Sequence, residues 1–135
     1  MKFRLLTVLA VVSLATTPVW AAKYQPIQNV VDEPVPIMPD GSTPEVDAVR
    51  AAIIAGCTSK GWTPVLSGEN ELTCSILVRG RHFAEVRIPY SEEKFSILYL
   101  KSRELNYDPE TQKIHRNYNK WVWNLSTAIK VQFVK

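Results

Sequence analysis

Two histidines, His82 and His115, two cysteines, Cys57 and Cys74, and a handful of carboxylates are the side chains of this sequence with the most obvious reactive potential. A zinc centre needs three or four ligands in tetrahedral geometry, and the two histidines lie far apart with no third ligand near either. A Cys–His nucleophile needs an unpaired thiolate beside a base; a bridge between the two cysteines would remove it. Ser96, Ser102 and Ser126 lack a G-x-S-x-G elbow, and the five glycines form no phosphate loop. Glycoside hydrolysis needs two carboxylates across one cleft, whereas Glu92 and Glu93 are neighbours in a turn. One pairing keeps a hydrolytic alternative open: His115 with a carboxylate such as Asp108, in a small cell-envelope hydrolase acting on peptidoglycan or peptides. Beyond that alternative the sequence predicts no catalytic set, no metal and no cofactor.

Binding chemistry is better represented. The run Ile114-His115-Arg116-Asn117-Tyr118-Asn119-Lys120-Trp121-Val122-Trp123-Asn124-Leu125 is the densest aromatic and basic cluster of the chain. At about 100° per helical residue, Tyr118, Trp121 and Leu125 share a core direction, and Trp123 points the other way with Arg116, Thr127 and Lys130. An exposed indole beside Arg116 and Lys120 is a candidate contact for a glycan, a peptide or a protein. The competing expectation is that the proline-rich residues 22–43 fold over the ring. A second candidate surface comes from strand parity. Leu77, Phe83, Leu98 and Leu100 fall opposite to the expected core face, among Arg79, Glu85, Arg87, Ser96 and Ser102, as an apolar patch with a charged rim. The linker covering that patch, or the reverse parity in the strand carrying Leu98 and Leu100, is the alternative.

The elements that must position these surfaces follow from periodicity. Ser42-Thr43-Pro44-Glu45 reads as a helix start, with a hydroxyl cap, a proline in the first turn and an acid reaching back. Val46, Val49, Ile53 and Cys57 then share one face, and Gly61 suits the left-handed residue after the helix end; the helix is predicted over 44–59. Four strands follow, at 62–66, 71–79, 82–90 and 95–103. Pro64 marks the first as an edge, and the alternation of Leu72, Cys74, Ile76 and Val78, then of Ala84, Val86, Ile88 and Tyr90, sets the buried face. Short connections predict an antiparallel meander. After an irregular stretch at 104–116, a last helix is predicted over 117–133 with Asn117 as its cap. The fold class is α+β: a four-stranded antiparallel meander with an N-terminal and a C-terminal helix packed on one face.

Cys57 and Cys74 then point into one layer, which predicts a disulfide worth about 3 kcal/mol in the chain-entropy model; two buried thiols are the alternative. Lys2 and Arg4 ahead of the apolar run Leu5–Ala15, with Val19 and Ala21 three and one before a cut, describe a secretory signal peptide over 1–21. The run is too short to span a bilayer, so no integral membrane segment is expected after cleavage. Residues 22–43, with Pro26, Pro34, Pro36 and Pro39, read as an extended linker or a loosely docked arm, with no secondary structure assigned, and 44–135 as one domain. The full chain has 16 Lys+Arg against 13 Asp+Glu; without Lys2 and Arg4 the balance is 14 against 13, or +1. A near-neutral surface offers no argument for nucleic acid.

Several of these features coincide with a known grouping. Gly61-Trp62 after the first helix, Ser96-Ile97 with Tyr99, Leu105-Asn106-Tyr107, and Ile114-His115 with Asn117-Tyr118-Asn119-Lys120-Trp121 and Asn124-Leu125 resemble small uncharacterised bacterial periplasmic proteins and lipoproteins over about residues 46–130. The resemblance implies a periplasmic or secreted location and an α+β fold, and transfers no catalytic residue. Many such proteins carry a lipid-anchored cysteine at the mature N-terminus, which this chain lacks. The functional expectation is a non-enzymatic envelope-associated binding protein whose partner is an envelope protein or cell-wall component. An inhibitor of a secreted enzyme is a further alternative.

Overall fold

A computed structural model describes residues 10–16 and 22–135. The cut after Ala21 and most of the expected signal peptide lie outside these residues; within it, 10–16 adopt no helix or strand. The chain runs β1 (Tyr24–Pro26), β2 (Val30–Pro34), α1 (Val46–Ser59), β3 (Thr63–Gly68), β4 (Glu71–Val78), β5 (His82–Pro89), β6 (Lys94–Arg103), β7 (Lys113–His115) and α2 (Arg116–Gln132).

The expected meander is present as β3 to β6, all antiparallel, with β3 and its Pro64 at the edge where a missing donor is tolerated. The sheet nevertheless has five strands rather than four. The open side of β6 takes β2, in the order β2-β6-β5-β4-β3, and β1 pairs with β7 in a separate ribbon. Residues 22–43, to which the sequence assigns no secondary structure, therefore contribute two strands and form a docked arm. Their strands are stabilised by pairing with chain 60 or more residues away, and Asp32 N–H also donates to Ser96 Oγ at 2.9 Å. Proline density does not report such non-local pairing. The irregular stretch 104–116 likewise holds β7 for the same reason.

One face of the sheet is covered. Val49, Ile53 and Cys57 of α1 and Tyr118, Val122, Leu125 and Ile129 of α2 join Leu72, Cys74, Ala84, Val86, Ile88, Phe95 and Ile97 in one buried cluster. The stripe on α2 runs 118, 122, 125, 129, so the indole of Trp121 flanks the core half-buried instead of entering it. Burial of a large aliphatic side chain contributes about 1.5–3 kcal/mol, and this layer supplies most of the fold's apolar burial.

The helix starts differ from expectation. Helix α1 begins at Val46, with Glu45 as N-cap and no side-chain cap bond. Ser42 is engaged elsewhere: its N–H and Oγ–H both donate to Asp40 Oδ1, while its carbonyl accepts from Met38 N–H. Helix α2 is capped by His115, not Asn117, since β7 delivers His115 in an extended conformation and its Nδ1 accepts from Asn117 N–H at 3.2 Å.

Candidate functional site

Helix α2 exposes Trp123 because its inward stripe passes on the opposite side. The indole is 68% exposed, so the proline-rich residues do not fold over it. It stands as a ridge between two shallow grooves. One, of about 430 Å³, is lined by Gln25, Gln28, Arg116, Asn117, Asn119 and Lys120. The other, of about 340 Å³, runs past Ser59, Lys60, Asn124 and Thr127. Arg116 and Lys120 thus lie with Trp123 as expected. Lys130 does not join them: its ammonium donates to Glu33 Oε1 at 2.9 Å and ties α2 to β2.

The first groove has a fixed wall. Asn119, buried on α2, accepts from Gln28 N–H at 3.0 Å and donates to Pro26 C=O at 3.0 Å and to Gln25 Oε1 at 3.1 Å. One amide side chain therefore pins the arm 25–28 beside the indole. Sequence periodicity gives no sign of this, since an asparagine beside a core stripe reads as surface.

The second candidate surface is the uncovered face of the sheet. Register places Leu77, Phe83 and Arg103 in one outward row, with Arg103 over the Phe83 ring at 4.5 Å. Arg87 pairs with Leu98 in another outward row. Pairing slips between Glu85 and Val86, which leaves Leu100 as the extra residue of a bulge on β6. Leu77 and Leu100 are exposed, while Phe83 and Leu98 are half-buried by neighbouring side chains. Glu85–Lys101 and Arg87–Glu71 ion pairs cross the same face at 3.6 and 3.1 Å. The face is mixed, with charge interleaved among the apolar residues.

His115 and Asp108 each hydrogen-bond within their own local segment. The Asp108 carboxylate accepts from Glu110 N–H and Thr111 Oγ–H within its own turn, which holds it below the usual carboxylate range. His115 spends Nδ1 on the helix cap, so its neutral ring carries the proton on Nε2. Burial, then the nearby Lys23, Arg116 and His82, push its pKa down. Among the described residues there is no group of three or more His, Cys, Asp or Glu able to hold a metal ion.

Cys57 and Cys74 meet in the core as expected, but as free thiols with Sγ atoms 2.9 Å apart and no bond between them. Their mutual hydrogen bond and their burial drive the Cys57 pKa strongly upward, away from nucleophilic use.

Sequence spacing also missed a concentration of positive charge on the other side of the first turn of α2. A cleft of about 410 Å³ is lined by Lys23, Arg79, Arg81, His82, Glu104, Asn106, His115, Asn117 and Trp121. These residues come from four separate segments, so no local motif announces them. Among the described residues, no helix is long and apolar enough to cross a membrane. Compared with known proteins, the chain matches no family model, no curated protein and no solved structure.

Proposed function

We propose that this protein is a non-enzymatic binding protein of the bacterial envelope, periplasmic or secreted, which engages an envelope protein or cell-wall component through the Trp123 ridge. The observation that carries the reading is the exposed indole, set between two grooves and flanked by Arg116 and Lys120. Aromatic and arginine side chains dominate the energetics of recognition surfaces. A rigid groove wall also lowers the ordering cost of binding, and Asn119 supplies one. The basic-apolar N-terminal run supports the location.

Photo-crosslinking in cells with a reactive residue at position 123 tests the reading, and position 100 samples the sheet face in the same experiment. A dominant adduct from position 123 is expected. Trp123→Ala, studied by competition for that adduct, is expected to lose the partner while its stability stays within about 0.5 kcal/mol, as for a surface substitution. Adducts only to the protein's own residues 22–43, or a loss of stability matching the loss of binding, would make Trp123 structural.

The same location implies that Cys57 and Cys74 are bridged in the exported protein. Intact mass of protein purified from the periplasm, compared with the reduced form, is expected to be lower by two hydrogens, with a higher unfolding midpoint. Two alkylatable thiols in periplasmic material would overturn the bridge.

A further inference from the structure

We propose that the cleft at the start of α2 binds a phosphate monoester, with Arg79, Arg81 and Lys23 as its charged contacts. This inference does not depend on the Trp123 reading, and the variants that test it lie outside that groove.

The cleft gathers side chains from the arm (Lys23), the β4–β5 hairpin (Arg79, Arg81, His82), the segment after β6 (Glu104, Asn106) and β7 with α2 (His115, Asn117). Its fixed charges are three cations against one carboxylate, which leaves a surplus of +2 with both imidazoles neutral. The carboxylate does not quench the cluster: Arg81 and Glu104 are 3.6 Å apart and both largely exposed. No ion pair to Arg79 is present among the described residues. A surplus of two charges matches a phosphate dianion better than a carboxylate, and guanidinium groups match its oxygens in pairs. A volume of about 410 Å³ leaves room for the group that carries the phosphate.

The two imidazoles are held in different tautomers. His82 Nδ1 lies 2.7 Å from Glu104 C=O and donates to it, while His115 Nδ1 accepts from the helix backbone. His115 therefore keeps an Nε2–H donor even when neutral.

The backbone supplies an independent sign. Arg79 and Gly80 both have positive φ, at 55° and 65°, between antiparallel strands joined by Val78↔His82 pairing. That turn favours Asn-Gly, and an arginine in its first central position is strained. Glu104 and Asn106, facing it across the cleft, are also left-handed, at 57° and 52°. Among the described residues, three of the five non-glycine residues with positive φ line this one cleft. Strain gathered at one place is a mark of a site kept for binding.

The test uses the full chain, with histidine ring NMR as readout and inorganic phosphate and glycerol 3-phosphate as probes. Both are expected to perturb His82 and His115 at millimolar concentration and to raise the His115 pKa by about one unit. Lys23, Arg79, Arg81, Glu104, Arg116 and His82 set the field there, so acetate at equal ionic strength controls for screening. Arg79→Asn is expected to weaken binding about tenfold, by removal of one charge-assisted contact, and yet to unfold at an equal or higher temperature, because the turn gains its preferred residue. Arg81→Gln is expected to weaken binding similarly. Saturable binding that Arg79→Asn and Arg81→Gln leave unchanged would overturn the proposal, as would no perturbation at tens of millimolar phosphate. Vesicles of phosphatidylcholine with and without phosphatidic acid separate the sources. Arg79-dependent sedimentation only with phosphatidic acid supports a lipid headgroup, and Arg79-dependent binding of glycerol 3-phosphate without sedimentation supports a soluble ester.

Discussion

Gly56→Ala is expected to lower stability by more than about 3 kcal/mol, at the upper end of the cost of overpacking. A Cβ at this position would lie 2.6 Å from Ile129 Cγ1, 2.7 Å from Ile129 Cα and 2.8 Å from Ile129 N. The first contact could be relieved by a rotamer change, but the other two are backbone of α2. The two helices would have to separate, and both carry the apolar layer that covers the sheet. Helix propensity acts in the opposite direction, since alanine inside a helix is favoured over glycine by about 1 kcal/mol. The clash wins because it disturbs burial along two elements. Urea unfolding of the purified variant measures the difference. Gly61→Ala serves as the contrast: it has positive φ and open space around it, so only a backbone cost of about 1 kcal/mol is expected. A Gly56→Ala protein as stable as the parent would mean that α1 and α2 are further apart than described.

Asn119→Leu is expected to cost about 3 kcal/mol and to loosen one region before the rest. Leucine fills similar space but takes away the side-chain partner of Gln28 N–H and Pro26 C=O, and each deserted polar group costs about 1–3 kcal/mol if it stays buried. Undocking of the arm lets water satisfy them, which caps the loss. Hydrogen exchange is therefore expected to accelerate in β1 and β2, with β4 and β5 still protected. Limited proteolysis would cut within 22–34 first. Uniform acceleration over all strands would mean that the arm and the sheet form one cooperative unit.

These two residues also show where sequence reasoning reaches its limit. The alternation of Leu72 and Cys74, and of Ala84, Val86 and Ile88, reflects a period of two that one buried face imposes, so the meander was legible. The outward direction of Trp123 is legible from the helical period, since the positions of Tyr118 and Leu125 orient the helix, but that the arm leaves the ring uncovered is not. Gly56 looks like a defect in a helix until the partner helix is in place. Asn119 looks like surface until Gln25, Pro26 and Gln28 arrive from more than 90 residues away. The strands at 24–26 and 30–34 exist because distant edges accept them, and a proline-rich composition conceals that. The basic cleft is assembled from four segments, each unremarkable by itself.

The pinned arm has a further consequence for the order of assembly. Arg116 N–H donates to Lys23 C=O, Asn119 holds residues 25–28, and Lys130 reaches Glu33 across 97 positions. These contacts close loops of more than 90 residues, whose entropy must be lost before any of them forms. The meander can form from near-neighbour pairings, but β1 has no partner until β7 is made and no anchor until α2 has wound. During synthesis, the segment that emerges early is therefore among the last to settle, and a ribosome-bound chain that lacks α2 carries an unsealed sheet edge at β6.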